Sequence, residues 1–321
     1  MVDNIAHDEL ITAKHEIDHK FECLSISTVR SLPYVVIVEL SRPHKRNAIN
    51  SKMWREIGDA FRLLGTLGDG CRCILLLGSG KSFCAGIDIT DASFGLMDMG
   101  NNNGQPDSDT ARKYISFRPK ILQMQQCLSE IENCAVPVVA AIHGSCIGGG
   151  IDLISCADVR ICTADAKFSV REAKLGLAAD VGTLQRLPKI VGHTSRVREL
   201  CYTGEDFNGV EAERIGLVSR ICPSASRSGT SSSISTTRDG VISMGLDICA
   251  RIARNSPVAV NGTKLSLNYS RDHSVRDGLE HITMHNAAAL MTEDLSASFM
   301  ASKSPSGEGA EFQNLLPHAR L

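Results

Sequence analysis

The sequence predicts an α/β fold, and three observations carry the prediction. Strand-like and helix-like segments alternate through the first 200 residues. The apolar residues are mostly Ala, Val, Ile and Leu, with aromatics at only 4%, a composition suited to helices packed on sheets. The last third reads as helical. At 321 residues, the length allows one large domain or two ordinary ones.

The elements follow in order. Residues 1–20 are polar and without a strong period, and read as an N-terminal arm. Two strand-like runs, 23–29 and 34–40, flank Ser31-Leu32-Pro33, and the second is rich in β-branched residues. A polar loop, 41–50, leads to Ser51, an N-cap for a helix over 52–64 in which Met53, Ile57, Ala60, Phe61 and Leu64 recur at helical spacing. A short apolar run over 71–77 is a buried strand, with Cys71 and Cys73 expected on one face. Residues 91–108 are dense in Gly, Asn and Asp and read as a surface loop. A helical pattern spans 109–133, with a kink or restart expected near Pro119. The buried strand 137–142 runs into a glycine turn, 143–150, and an apolar helix. Short strands at 159–162 and 167–169 precede a broken helix over 183–200 and a short one at 209–215. Residues 224–239 are Ser/Thr-rich and cannot support a core, so they read as a flexible insertion. Helical patterns return at 240–253, 258–269 and 275–290. The division is therefore an arm (1–20), a core (21–223), an insertion (224–239), a helical region (240–303) and a tail (304–321).

Composition excludes several functions. Lys plus Arg is 34 and Asp plus Glu is 36, a net charge of −2, which argues against a nucleic-acid protein with a broad basic surface. The scarcity of aromatics argues against a base-stacking platform. The twelve cysteines include no CxxC pair. The N-terminus has neither the basic region nor the apolar core of a secretory signal, so reduced thiols are expected. No stretch reaches the roughly 18 to 20 apolar residues of a membrane helix.

Several motifs fail. Residues 75–82 end like a phosphate-binding loop, but position 75 is Leu where that loop needs Gly. His281 and His285 lie four apart, yet Glu280 precedes His281 and no third ligand is evident, so no metal is expected. Cys146 lacks the spacing of a nucleophile elbow and reads as a small packed residue.

Two glycine turns remain, at 81–89 and 143–153, each following a strand. Small residues let backbone N–H groups approach a ligand closely, and a helix starting at Gly149 or Gly150 would add its positive end. Two N–H groups converging on one oxygen make an oxyanion hole. Three carboxylates follow: Asp152 in the first turn of an apolar helix, Glu172 after a short strand, and Asp180 among small residues. A buried carboxylate is costly unless bonded or protonated. Asp152 and Asp180 could also serve only as helix caps.

These segments resemble the crotonase, or enoyl-CoA hydratase/isomerase, family. The matching stretches are RNAIN (46–50), FCAGIDI (83–89), PVVAAIHGSCIGGGIDL (137–153), ADVRICTADAKFSVREAKLGL (157–177) and GLVSRI (216–221), and the resemblance covers roughly residues 24–303. It implies a ClpP-like spiral of ββα units with a C-terminal helical trimerisation region. Within the family the pattern is closest to the dienoyl-CoA isomerase branch. Asp152 and Glu172 stand where hydratases carry two glutamates, and GLAADVG adds Asp180. The shorter Asp152 would hold water further from the acyl chain, favouring isomerisation over hydration.

The resemblance implies conversion of a 3,5-dienoyl-CoA to the 2,4-dienoyl isomer. The N–H groups of Ile87 and Gly149 form the oxyanion hole, and Glu172 and Asp180 shuttle the proton. Asp180 is provisionally the base and Glu172 the acid, a direction the sequence leaves open. Asp152 tunes the pair or holds a water. Ala85, Gly86, Ile87, Asp88, Ile89 and Gly149 line the substrate, with Lys45 and Arg46 as candidates for the anionic CoA. Tyr114, Phe117 and the 91–108 loop are expected to wall the acyl pocket. No cofactor beyond the CoA thioester substrate is implied. The expected partner is a second copy of the chain, as a trimer or dimer of trimers. Ala319-Arg320-Leu321 resembles the tripeptide read by the peroxisomal import receptor, which points to the peroxisome or a glycosome-like organelle ahead of the mitochondrion. The competing readings are a 2-enoyl-CoA hydratase and a non-catalytic scaffold of the same fold.

Overall fold

The computed structural model describes residues 13–14, 16–67, 70–91, 109–223, 237–303 and 309–317. Most of the arm, nearly all of the 91–108 loop, most of the Ser/Thr-rich insertion and the C-terminal tripeptide lie outside the described residues.

A seven-stranded sheet forms the centre. Its strands are β1 (Ala13–Lys14), β2 (Leu24–Val29), β3 (Leu32–Leu40), β4 (Cys73–Gly78), β5 (Val138–Ile142), β7 (Val159–Thr163) and β10 (Arg220–Cys222), adjacent in that order. The β1–β2 and β2–β3 pairs are antiparallel, and every pair from β3 to β10 is parallel. Three further strands, β6 (Ser145–Ile147), β8 (Lys167–Ser169) and β9 (Phe207–Asn208), form a second sheet.

Strand alternation divides the core in two. Ile74 and Leu76 of β4 join one cluster, and Cys73, Leu75 and Leu77 join the other. The first cluster is covered by helices α1 (Ser51–Leu67) and α2 (Thr110–Asn133), through Met53, Trp54, Ile57, Phe61, Leu128 and Ile131. The second is covered by α7 (Thr237–Ala253), through Val241, Ile242, Leu246 and Cys249. A strand buried on both faces reads as a continuous apolar run, as the 71–77 stretch does. Cys71 lies before that strand and is half-buried, so only Cys73 joins its face.

The remaining helices are α3 (Gly149–Ser155), α4 (Thr183–Ile190), α5 (Thr194–Thr203), α6 (Gly209–Arg214), α8 (Pro257–Ser270), α9 (Val275–Ala289) and α10 (Glu293–Ser302). The break expected within 183–200 falls at Val191-Gly192-His193, between α4 and α5. Helix α2 runs through Pro119 as one element. The sequence reading omitted the short strands β1, β6, β9 and β10 and helix α10.

One side of α8 fastens the end of α2 to the start of β5. Lys264 Nζ donates to Val136 O at 3.0 Å and to Asp158 Oδ2 at 2.8 Å, and Asn268 and Asn261 donate to the main-chain oxygens of Glu132 and Ala135. Lys264 is buried with its donors engaged, as a buried ammonium requires.

Candidate active site

The two glycine turns meet. Each leaves the end of a parallel strand, β4 or β5, and main-chain hydrogen bonds tie one to the other. Phe83 N donates to His143 O, Cys84 N to Ser145 O and Ile147 N to Cys84 O, at 2.9 to 3.0 Å. A third tie holds the first turn to the loop before α1: Ile49 N donates to Gly86 O, and Asp88 N to Ile49 O. The buried Asn47 stitches that loop down. Its Nδ2 donates to Ser79 O and Ser82 O, and its Oδ1 accepts from Arg42 N.

The N–H groups of Ile87 and Gly149 face one region. A Cβ placed on Gly149 would lie 3.6 Å from Ile87 N, and one on Gly86 would lie 3.9 Å from Gly149 N. Gly86 has φ +99°, and a Cβ there would also meet Ile147 O at 3.0 Å, so the turn requires glycine. Among the described residues, neither N–H donates to another group. Two unspent donors side by side are the arrangement an oxyanion needs.

The three carboxylates cluster around this point in different settings. Asp152, on α3, is 1% exposed, and its Oδ1 accepts from Thr183 N at 2.6 Å. Burial raises its pKa to about 6, against the pull of the Thr183 bond, with the charge of Asp180 adding to the rise. Glu172, in a one-turn 3-10 helix (Glu172–Leu175), is also buried, and its Oε2 has no hydrogen-bond partner. Burial lifts its pKa to about 7, and the charges of Asp152 and Asp180 push the same way. Its Oε1 lies 3.0 Å from where a Cβ on Gly148 would sit, so Glu172 packs against the residue that precedes the Gly149 donor. Asp180 is the most open of the three, and its carboxyl is raised by partial burial.

An apolar cavity of about 310 Å³ opens beside these groups. Ile87, Leu177 and Asp180 form one wall, and Trp54, Phe117, Ile121, Met124 and Cys127 form another. Phe117 thus lines the cavity, whereas Tyr114 is exposed and is not part of its lining. A larger cavity, about 740 Å³, lies between the β2–β3 turn, α7 and residues 309–312, and none of the three carboxylates lines it. The smaller one adjoins the chemistry.

The other predicted positions divide. Ala85 is held by its N–H to Arg46 O at 3.0 Å, so Arg46, exposed like Lys45, borders the first turn. Ile89 is exposed. Asp88 spends its side chain within the fold: the Thr90 hydroxyl and the Arg42 guanidinium, 3.0 Å away, hold its carboxyl below the usual range. His281 stacks on Tyr269 with ring centroids 4.1 Å apart. No group of three or more His, Cys, Asp or Glu is placed to hold a metal among the described residues. The expected wall from this helix is met by Phe117, while the Thr183 donor and the wall residues Ile121, Met124 and Cys127 escaped the sequence reading, although Phe117, Ile121 and Met124 already stood at helical spacing.

The enoyl-CoA hydratase/isomerase family matches residues 33–285. The mitochondrial Δ(3,5)-Δ(2,4)-dienoyl-CoA isomerase of Rattus norvegicus is 42% identical over 285 residues, 88% of this chain and 80% of the relative. The peroxisomal Δ(3,5)-Δ(2,4)-dienoyl-CoA isomerase of Arabidopsis thaliana is 39% identical over 262 residues, 82% of this chain and 87% of the relative. The crystal structure of an enoyl-CoA hydratase from Bacillus anthracis superposes with a TM-score of 0.74 at 23% identity, covering 91% of this chain and 99% of that one.

Proposed function

The chain belongs to the enoyl-CoA hydratase/isomerase family, and from that premise we propose that it isomerises 3,5-dienoyl-CoA to 2,4-dienoyl-CoA in fatty acid β-oxidation. The observation that carries this reading is a third carboxylate, Asp180, in the wall of the acyl cavity, beyond Asp152 and Glu172 beside the paired N–H groups.

The thioester carbonyl sits between the N–H groups of Ile87 and Gly149. Its α-proton is thereby acidified, because the negative charge that forms on the oxygen meets two fixed donors. Glu172, which packs against Gly148 beside the Gly149 donor, is the group assigned to C2 and serves as the base. Its elevated pKa, about 7, suits a base working near neutrality. The C2–H bond breaks, and its electrons spread through the diene to C6. Asp180, further along the cavity, gives its proton to C6, forming the new C–H bond. This direction is the reverse of the provisional sequence assignment, and the support for it is position: Glu172 is at the hole and Asp180 is along the chain. The cycle closes when the proton returns from Glu172 to Asp180. Asp152, held by Thr183, puts a carboxylate near Glu172 that raises its proton affinity and so strengthens it as the acceptor of the C2 proton.

The reaction needs no cofactor beyond the thioester itself. Lys45 and Arg46 are the cations offered to CoA phosphates, since Arg46 adjoins the first turn. Helices α8 to α10 and the turn before α10 expose Leu267, Val275, Leu279, Met291, Phe299 and Met300, an apolar surface that supports a homo-oligomer, a trimer or dimer of trimers. Sedimentation velocity tests it, with a monomer as the contrary result. The relatives are mitochondrial or peroxisomal, and residues 319–321 favour the peroxisome for this chain. Their deletion should release the protein to the cytosol, and unchanged organelle targeting would overturn that assignment.

The shuttle is tested with Glu172→Gln and Asp180→Asn on a 3,5-dienoyl-CoA. Removing a positioned acid or base costs about 100- to 10,000-fold. Unimpaired turnover in both variants would sink the shuttle.

A further inference from the structure

Helix α2 carries a second set of contacts beyond its cavity wall. Gln125, Ser129 and Glu132 recur at spacings of four and three, which puts them on one face. That face grips residues 180–186. Gln125 Nε2 donates to the main-chain oxygen of Asp180 at 2.6 Å. Ser129 Oγ accepts from Arg186 Nη2 at 3.2 Å, and Glu132 Oε2 accepts from Arg186 Nε at 3.1 Å and Nη2 at 2.9 Å. Arg271 pairs with the other oxygen of Glu132. Gly182, at φ +137°, leaves no room for a side chain, since a Cβ there would lie 2.0 Å from Arg186 Nη1. The guanidinium is thus pressed against the backbone between Asp180 and Thr183. On its inner side, the same segment gives the Thr183 N–H to Asp152.

We propose that Arg186 and Glu132 are a positioning pair for the reaction, fixing residues 180–183 and thereby the aim of Asp180 at the acyl chain and the hold of the Thr183 N–H on Asp152. Neither residue lines the cavity. The proposal rests on the reading of those two carboxylates given above. A buried ion pair is weak evidence for stability in itself, but the fork of an Arg–carboxylate pair fixes geometry in a way a point charge does not. A displacement of about 1 Å away from the chemistry can cost on the order of 100-fold in rate. Because α2 also supplies Phe117, Ile121 and Met124 to the cavity, the wall that contacts the acyl chain and the clamp on its carboxylates are one rigid element.

The test measures kcat and KM on a 3,5-dienoyl-CoA, with melting temperature, for four variants. Glu132→Gln/Arg186→Met removes the pair without leaving a bare buried charge. It should lower kcat about 100-fold with KM within about threefold. Arg186→Lys, with charge but no fork, should recover part of that loss. Gln125→Leu unpairs no charge and should lower kcat several-fold at an unchanged melting temperature. A folded double variant with wild-type kcat overturns the proposal. Should the double variant not fold, wild-type kcat in Gln125→Leu does so. Asp180→Asn, run alongside, separates the two levels: full activity there overturns the shuttle role of Asp180 on which the proposal rests, whereas no turnover of the dienoyl substrate by the wild type overturns the functional reading.

Discussion

Replacing Glu172 by Gln should do more than remove activity; it should also make the protein more stable in alkaline solution. Glu172 is 8% exposed, and one of its oxygens has no partner. Its carboxyl is raised from 4.5 to about 7, first by burial and then by the charges of Asp152 and Asp180. The difference of about 2.5 units corresponds to about 3 kcal/mol between the protonated and ionised forms. The folded protein holds this proton more tightly than the unfolded chain. The stability it contributes is therefore complete below about pH 4.5 and is lost as pH rises through about 7. A glutamine resembles the protonated acid and cannot ionise. The assay is urea unfolding at fixed protein concentration, at pH 5 and pH 8, for both proteins. The wild type should lose between 2 and 3 kcal/mol more than Glu172→Gln on going from pH 5 to pH 8, as an order-of-magnitude figure. Parallel pH dependences would refute the reasoning, because they would mean that Glu172 ionises in the fold as easily as in the unfolded chain.

Three further expectations concern the site and its support. The kcat/KM for a 3,5-dienoyl-CoA should rise with pH through an apparent pKa near 7 as Glu172 loses its proton, and a flat profile between pH 5 and pH 9 would remove it from the role of base. Gly148→Ala places a methyl 3.0 Å from Glu172 Oε1 at φ +50°, so kcat should fall on the order of tenfold or more, whereas unchanged kcat would show that Glu172 does not act from its observed position. Lys264→Met leaves Asp158 without its cation beneath α8 and should cost about 3 to 5 kcal/mol in unfolding while sparing kcat; a loss under about 1 kcal/mol would mean that the ion pair does not hold α8 to the sheet.

Much of this architecture is written in local pattern. The alternation of Cys73, Leu75 and Leu77 against Ile74 and Leu76 announces a strand buried on both faces, and the glycines at 86 and 148–150 announce turns where the backbone is bare. The residue types of the site were legible for the same reason: carboxylates among small and apolar neighbours stand out. What the sequence hid is contact over distance. Strand β6 is three residues between two glycines, too short for any period to register. Arg186 and Glu132 are 54 positions apart, and nothing local to either marks the other. Asn47 looks like an ordinary loop polar residue until its amide is seen bridging two carbonyls. Tyr114 was expected in the pocket wall from the layout the resemblance implies, but the helix turns it outward. The approach of Glu172 to Gly148, which supports its proposed role as the base, joins positions 24 apart and is likewise invisible in local pattern.

Substrate choice tests isomerisation most directly. Purified protein mixed with 3,5-octadienoyl-CoA, followed by ultraviolet absorbance, should accumulate the conjugated 2,4-dienoyl thioester, while crotonyl-CoA is hydrated far more slowly. Efficient hydration of crotonyl-CoA with no turnover of the dienoyl substrate would contradict it, and would make the three carboxylates those of a hydratase.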